Sequence, residues 1–188
     1  MKKVKHILSI SLTLSMLISI SFALHNSEDK QNGKSGLNEH LKPLKPFIGK
    51  TWRGKSPNPD PDKPFEDVSR WESALNGQAV RILHSVNEGA YGGETLVVWD
   101  RKIESLVFYY FTTEGFYTNG TIKMEDGKMI SHEIVIGNEN GITEVKSVGT
   151  ILPDGKLHNK SQYLKNGDWV DGHEFIYEED PKAIVVFK

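Results

Sequence analysis

The stretch that decides the fold is residues 116–152, FYTNGTIKMEDGKMISHEIVIGNENGITEVKSVGTIL. Three runs rich in β-branched and aromatic residues are separated there by Asp126-Gly127 and Asn140-Gly141. Asp-Gly and Asn-Gly supply the positive φ angles that tight hairpins need, so each dipeptide predicts a turn between two antiparallel strands. The stretch therefore predicts a three-stranded meander.

Similar turn dipeptides occur along most of the chain. Asn76-Gly77, Asp154-Gly155 and Asn166-Gly167 also lie between runs of β-forming residues. Eleven strands are predicted, at 51–55, 68–75, 78–86, 94–99, 104–112, 116–124, 128–136, 142–152, 156–164, 168–177 and 183–187. An open sheet of this size would expose its edges, so we expect an all-β, antiparallel up-and-down closed barrel of about ten strands. The last strand would pair near the first, and the closed barrel could enclose a ligand-sized interior.

The N-terminus has the pattern of a secretory leader. Lysines at positions 2, 3 and 5 precede an uncharged apolar run to Phe22, and the small residue Ala23 follows. The run is shorter than the roughly 20 apolar residues of a membrane-spanning helix. We predict a signal peptide over 1–23 with cleavage near Ala23, a flexible tether over 24–43 and a barrel domain over 44–188. The mature protein would be secreted or periplasmic, without a transmembrane segment.

Composition narrows the chemistry that the chain can perform. The 188 residues include 23 Lys and Arg, 25 Asp and Glu and no cysteine. Removing the leader takes away three lysines, which leaves 20 basic residues against 25 acidic ones and a net charge of −5. Such a balance disfavours a nucleic-acid binder, which needs a basic surface. The absence of cysteine excludes disulfides, thiol nucleophiles and cysteine zinc sites, so histidine, carboxylate and tyrosine remain.

Several motifs resemble known barrel families. Gly49-Lys50-Thr51-Trp52 is similar to the Gly-x-Trp opening of calycin-like barrels, a group that includes lipocalins, fatty-acid-binding proteins and nitrobindin-like haem barrels, with one residue more in the spacing. Arg70-Trp71-Glu72, Val97-Val98-Trp99-Asp100 and Tyr109-Tyr110-Phe111 look like the bacterial DUF1579 family of lipocalin-like barrels. That resemblance spans residues 46–177.

The resemblance implies a small closed barrel of largely unassigned function, in a group whose members often hold small apolar molecules. It also implies that Trp52 plugs one barrel end and that Arg53 or Arg70 lies across it by a cation–π contact. The nitrobindin branch carries haem on a histidine near the C-terminus, but the residues around His173 do not reproduce that branch's pattern. No cofactor is therefore predicted, with haem and zinc as alternatives.

Strand alternation indicates which polar side chains share a face with apolar ones, and that face should line the interior. His84 is in phase with Val80 and Ile82, and Asp171 is close enough to His173 to orient its imidazole. Glu133 and Glu174 fall in the opposite phase and are expected to face solvent. The predicted cavity residues are His84, His132, His173, Tyr109, Trp169, Asp171 and Phe175, with Tyr110, Tyr163 and Tyr177 as further hydroxyl candidates.

Three functional hypotheses follow, and the leading one assigns no catalytic or metal-binding residue. The first is that the interior binds a small, mostly apolar molecule. The second is an enzyme, a lyase, isomerase or hydrolase, that uses His173 with Asp171, or a metal held by His84, His132 and His173. The alternative for these histidines is that each is hydrogen-bonded to a neighbour at a different depth. The third hypothesis is an interaction module that associates through aromatic residues 107–111, for example as a homodimer.

Overall fold

The computed structural model describes residues 36–60, 62, 65–137 and 140–188. The predicted leader at 1–23 and the first part of the predicted tether, 24–35, lie outside the described residues, so export stays a prediction of the sequence. In the part of the chain that is described, no helix is both long and apolar enough to cross a membrane.

Ten antiparallel strands form a closed barrel, which confirms the predicted fold class. Each strand pairs with the next one along the chain, and the first pairs with the last. The strands are β1 (Thr51–Lys55), β2 (Glu66–Ala74), β3 (Ala79–Val86), β4 (Tyr91–Asp100), β5 (Ser105–Thr112), β6 (Tyr117–Glu125), β7 (Lys128–Val135), β8 (Ile142–Ile151), β9 (Leu157–Lys165) and β10 (Asp168–Glu179). Short 3₁₀ helices lie at Glu39–Leu44, Leu75–Gly77 and Asn87–Gly89.

The five Asn-Gly and Asp-Gly dipeptides that were predicted to form turns all lie between consecutive strands. In Asn76-Gly77, Asp126-Gly127 and Asn166-Gly167 both residues have positive φ, which is what a type I′ turn requires. In the other two dipeptides the glycine alone is in that region. The positive φ angles that predicted these turns from the sequence are therefore present in the structure.

The predicted eleventh strand, 183–187, is wrong. Closure comes from β1 and β10, which pair with Trp52 opposite Glu179. Because β10 continues to Glu179, it occupies the edge of β1 that the last segment was expected to cover. That segment instead lies against the end of β3, where the Val186 N–H donates to Ser85 Oγ at 3.0 Å.

The 3₁₀ helix Glu39–Leu44 covers one end of the barrel, which we call the closed end. Leu41 and Leu44 are both fully buried, and they pack in one apolar cluster with Phe47 and Trp52. Leu41 is thus packed against the barrel, although the sequence predicted a flexible tether that extends to residue 43. The apolar spacing of the helix explains the difference, because Leu41 and Leu44 lie one 3₁₀ turn apart on the same face.

Trp52 lies fully buried at the closed end, and its Nε1–H donates to the Phe47 carbonyl at 3.4 Å. The cation above its ring belongs to Lys50, with Nζ 5.1 Å from the ring centroid. The predicted contact with an arginine is therefore wrong. Arg53 forms ion pairs with Glu66 and Asp180 on the outer face of the barrel, and Arg70 pairs with Glu72 there.

Candidate functional site

A cavity of about 520 Å³ lies inside the barrel toward the end opposite the 3₁₀ helix Glu39–Leu44, which we call the open end. Its size is typical of a small-molecule pocket. Aromatic and aliphatic side chains form part of the wall: Phe65, Val86, Tyr91, Tyr110, Phe116, Val135, Ile142, Val145, Tyr163, Phe175 and Tyr177. The rest of the wall is polar: Asp67, His84, Glu114, Thr118, Glu133, Asn140, Ser147, Asn159, Ser161 and His173.

A chain of hydrogen bonds crosses four neighbouring strands in this wall. His84 Nδ1 lies 2.8 Å from Asp67 Oδ1, and His84 Nε2 lies 2.7 Å from the hydroxyl of Tyr110. The Tyr110 hydroxyl in turn lies 3.0 Å from that of Tyr91. The side chains come from β2, β3, β5 and β4, so pairing of adjacent strands brings them together. We call these four residues the Asp67–Tyr91 chain.

Asp67 is the anchor of this chain. Its side chain is buried, and its second oxygen, Oδ2, accepts a hydrogen bond from the hydroxyl of Tyr177 at 2.9 Å. Burial, reinforced by the nearby Asp67 charge, raises the pKa of Tyr177 well above its ordinary value, so Tyr177 remains a donor. Because a carboxylate can only accept, Asp67 holds the Nδ1–H form of His84 and leaves Nε2 directed at Tyr110.

The chain has two self-consistent proton arrangements. In the first, the Tyr110 hydroxyl donates to that of Tyr91, as in the structure, and a protonated His84 donates to Tyr110, with Asp67 balancing the charge. In the second, both hydroxyls have turned, so that Tyr91 donates to Tyr110 and Tyr110 donates to His84 Nε2, which leaves the imidazole neutral. Burial raises the pKa of both tyrosines, so their hydroxyls keep their protons in either arrangement. The chain can therefore transfer a proton between the cavity and His84 without a stable phenolate.

Two glycines make room for the chain. A side chain at Gly93 would place its Cβ 2.5 Å from the ring of Tyr110, and one at Gly54 would lie 2.3 Å from the ring of Tyr177. Both distances are shorter than any real carbon contact, so each tyrosine reaches its partner across a position that has no side chain. Gly54 therefore makes room for Tyr177 beside Asp67, and Gly93 makes room for Tyr110 beside His84.

Glu133 is a second carboxyl group in the cavity wall. It projects inward from β7 and accepts a hydrogen bond from Thr118 Oγ1 on β6. Burial raises its pKa, although the hydrogen bond from Thr118 and the proximity of His84 oppose the shift. The prediction that Glu133 faces solvent is therefore wrong.

His173 lies at the rim of the cavity. Its ring stacks on Phe65 with the centroids 4.7 Å apart and meets Tyr163 edge-on at 5.6 Å. Burial of the ring lowers the pKa of His173 below its ordinary value of 6.5, because the charged form loses hydration against the aromatic neighbours. The neutral form is thereby favoured at physiological pH.

His132 and Tyr109 do not reach the cavity, contrary to expectation. His132 is on the outer face of β7, with Nε2 2.6 Å from Glu144 Oε2, and Tyr109 is 47% exposed on the outer face of β5. Leu106, Phe108 and Tyr110 occupy the inner face of β5 instead. Both faces of these strands carry large apolar residues, so alternation alone could not decide which one is inside.

The arrangement also separates the three histidines of the zinc hypothesis, because His132 lies outside the barrel wall that His84 and His173 line. Within the described ranges, no group of three histidine, aspartate or glutamate side chains is placed to hold a metal ion.

A bulge in β10 reverses the orientation of two more predicted residues. The register with β9 shifts between Asp171 and Glu174, so one extra residue lies in β10 at that point. Trp169 and Asp171, before the shift, face outward, and the Trp169 ring meets Lys146 Nζ at 4.1 Å from its centroid. His173 and Phe175, after it, face the cavity. Unbroken alternation predicted that Asp171 orients His173. This prediction is wrong, because the two side chains lie on opposite faces of the barrel wall.

His84, His173 and Phe175 line the cavity, and so do the further candidates Tyr110, Tyr163 and Tyr177. Sequence reasoning missed Asp67 and Tyr91, because strands β2 and β4 were predicted to begin at residues 68 and 94. An available signal was the pair of alternating residues Asp67 and Ser69, which continue the phase of the buried Trp71.

The outer wall carries an aromatic patch formed by Tyr109 and Phe111 on β5 and Tyr117 on β6. Their exposed fractions are 47%, 49% and 52%. This exposure is what the interaction-module hypothesis requires, since outward aromatic residues on one strand were its basis. Association through the patch stays a prediction, which the masses in solution of the wild-type and Tyr109→Ser proteins would test.

Comparison with known proteins supports the barrel fold and nothing finer. A solved structure, Rv2717c from M. tuberculosis, superposes with a TM-score of 0.52 and 16% sequence identity, covering 77% of this chain and 99% of that one. No protein-family profile matches the chain, and no curated protein matches it either. Likeness at this identity shows the fold alone, so the resemblance to the DUF1579 family, and the more distant one to nitrobindin-like barrels, stays a prediction.

Proposed function

We propose that the barrel binds a small molecule in the cavity at its open end. The observation that carries the proposal is the cavity itself, about 520 Å³ in volume, with aromatic walls and several converging polar side chains. Clefts and cavities of this size and mixed lining are where proteins bind small ligands. The closed end, by contrast, is filled by Leu41, Leu44 and Trp52.

The residues that line the cavity change the kind of ligand that we expect. The sequence predicted a mostly apolar interior, but Asp67, His84 and Glu133 bring ionisable groups into it. Asp67 and His84 already have protein partners, but a purely hydrocarbon ligand would displace water from Glu133, whose Oε1 accepts from Thr118, without replacing that water, which is unfavourable. The proposed ligand therefore has an apolar or aromatic body and at least one hydrogen-bonding group.

Filling part of the cavity should weaken ligand binding. Val135 lines the cavity on β7, while its neighbour Ile134 is 39% exposed on the outer face. We expect Val135→Trp to weaken binding of the neutral fluorescent probe N-phenyl-1-naphthylamine by about tenfold or more, because the indole would occupy the space that the probe needs. Fluorescence titration measures the affinity directly.

Ile134→Trp is the matched control, since it adds the same side chain one residue away and outside the wall. It should bind the probe with the wild-type affinity. Equal binding by wild type and Val135→Trp, with both proteins folded by circular dichroism, would contradict the proposal.

We propose proton transfer on the bound molecule as a second candidate function, favoured by the Asp67–Tyr91 chain. A proton leaving the ligand would pass to the Tyr91 oxygen while the proton of Tyr91 passes to Tyr110 and that of Tyr110 to His84 Nε2. The resulting imidazolium is balanced by Asp67, and return of the proton to a different ligand atom would complete an isomerisation. No other co-reactant is needed for this balance, which distinguishes it from redox chemistry.

Hydrogen exchange tests this second function even when the product of the reaction has not been identified. A ligand found by displacement of the probe would be incubated with protein in D₂O, and uptake of deuterium at carbon followed by mass spectrometry. We expect His84→Gln to slow exchange by about 10²–10⁴-fold, the contribution typical of a general base. His132→Gln, on the outer face, should exchange at the wild-type rate. Equal rates for wild type and His84→Gln would exclude the chain as the route.

A further inference from the structure

We propose that the ligand of the cavity is a protonated amine with an aromatic or aliphatic body, and that Glu133 receives its ammonium group. This inference rests on the proposed binding function and specifies the chemistry of the ligand. It follows from three features of the cavity, namely its charges, the free hydrogen-bonding capacity of its carboxylates and its aromatic walls.

The charges in the cavity have one predominant sign. Three carboxyl side chains, Asp67, Glu114 and Glu133, line it, and none of the described lining residues is a lysine or an arginine. The cationic candidates are His84, whose two ring nitrogens are both engaged in the Asp67–Tyr91 chain, and His173, whose neutral form burial favours. A ligand carboxylate or phosphate would thus enter without a permanent countercharge, at a large cost in desolvation.

Glu133 is the inner carboxylate with hydrogen-bonding capacity to spare. Both oxygens of Asp67 are occupied, by His84 and by Tyr177. In Glu133, Oε1 accepts from Thr118, whereas Oε2 has no donor among the described residues. A carboxylate can accept several hydrogen bonds, and an ammonium group has three donors to supply. The unoccupied oxygen therefore marks the place where a ligand cation would be stabilised.

Aromatic rings also line the cavity that Glu133 faces. Tyr91, Tyr110 and Tyr163 line the cavity together with Glu133. The faces of aromatic rings attract cations, and the attraction is stronger where water is excluded. The phenol rings also supply apolar area for the body of the ligand. A carboxylate with aromatic neighbours therefore suits an amine better than it suits a neutral alcohol of the same shape.

The affinity for an amine should depend on pH with a definite sign. Because burial raises the pKa of Glu133, the empty site holds its proton at a higher pH than an ordinary glutamate does. An ammonium ion competes with that proton, so affinity should rise with pH up to the raised pKa of Glu133 and then level off. The other titratable groups that face this cavity are Asp67, His84, Tyr91, Tyr110, Glu114, Tyr163, His173 and Tyr177.

The test uses three small molecules of similar shape: 2-phenylethylamine, 2-phenylethanol and 3-phenylpropionate. Calorimetric titration of the full chain at neutral pH should show the amine binding about tenfold or more tightly than the alcohol, and the carboxylate more weakly than both. In Glu133→Gln the amine should lose about tenfold or more in affinity while the alcohol changes by less than about threefold, because the amide keeps its oxygen for Thr118 but carries no charge. Glu144→Gln, which removes a glutamate from the outer face, should match wild type.

Equal affinities for amine and alcohol in wild type, or an unchanged amine preference in Glu133→Gln, would overturn the inference. Either result would leave the proposed binding function intact, provided that the alcohol still displaces the naphthylamine probe. Failure of the probe itself to bind in a manner sensitive to Val135→Trp would overturn the proposed function, and the amine inference with it.

Discussion

Replacing Trp52 with alanine is expected to lower the free energy of unfolding by about 3–5 kcal/mol, the range found when a large aromatic side chain is removed from a core. Trp52 is completely buried and packs with Phe47 and the residues of the 3₁₀ helix Glu39–Leu44. Its removal would leave a void at the closed end and would also remove the donor to the Phe47 carbonyl. Urea unfolding followed by far-UV circular dichroism measures the change.

Trp169→Ala provides a matched control, because it removes the same side chain from the outer face of β10. Trp169 is 39% exposed and meets Lys146 across its ring. We expect a loss of less than about 1 kcal/mol, the range for an exposed cation–π contact. Comparable losses in the two variants would show that the closed end does not depend on Trp52.

The order of the strands was predictable from local signals. Dipeptides such as Asp126-Gly127 adopt positive φ readily, which few residues do, and five of them mark hairpins. The dipeptide is not sufficient by itself, because Asn119-Gly120 and Asp171-Gly172 lie inside β6 and β10. Closure of the sheet into a barrel was also predictable, because an open sheet of ten strands would expose two edges and a closed barrel exposes none. The closing partner was misassigned, because the pairing of β1 with β10 joins residues more than a hundred positions apart and no local pattern specifies it.

Orientation of side chains was less predictable, and β7 shows why. Its isoleucines, Ile130 and Ile134, predicted that their own face points into the barrel. The opposite face does so instead: Glu133 lines the cavity and Ile134 is exposed outside. The rule that apolar residues point inward assumes a packed interior, but the open end holds a cavity with polar walls. In β10 the phase changed at the bulge between Asp171 and Glu174, which depends on the register with β9. The cavity is thus where pattern-based reasoning fails.

Replacing Asp67 with alanine is expected to destabilise the fold by about 2–6 kcal/mol, because His84 and Tyr177 would each lose an acceptor at about 1–3 kcal/mol per buried group. Asp67 is buried and accepts from both, at 2.8 Å and 2.9 Å. Urea unfolding at neutral pH measures the loss. Asp171→Ala, which removes an exposed aspartate from β10, should remain within about 0.5 kcal/mol of wild type.

Asp67→Asn should cost less, for a reason that can be observed separately. The amide oxygen can still accept from Tyr177, while the amide N–H₂ can donate to His84 Nδ1, so that the imidazole must carry its proton on Nε2. His84 would then donate to Tyr110, and the chain would keep all its hydrogen bonds with a reversed proton order. At a pH where the imidazole is neutral, nitrogen-15 NMR should show the unprotonated nitrogen moving from Nε2 in wild type to Nδ1 in the variant. An unchanged tautomer, or an asparagine variant as unstable as the alanine one, would mean that Asp67 does not set the proton order of the chain.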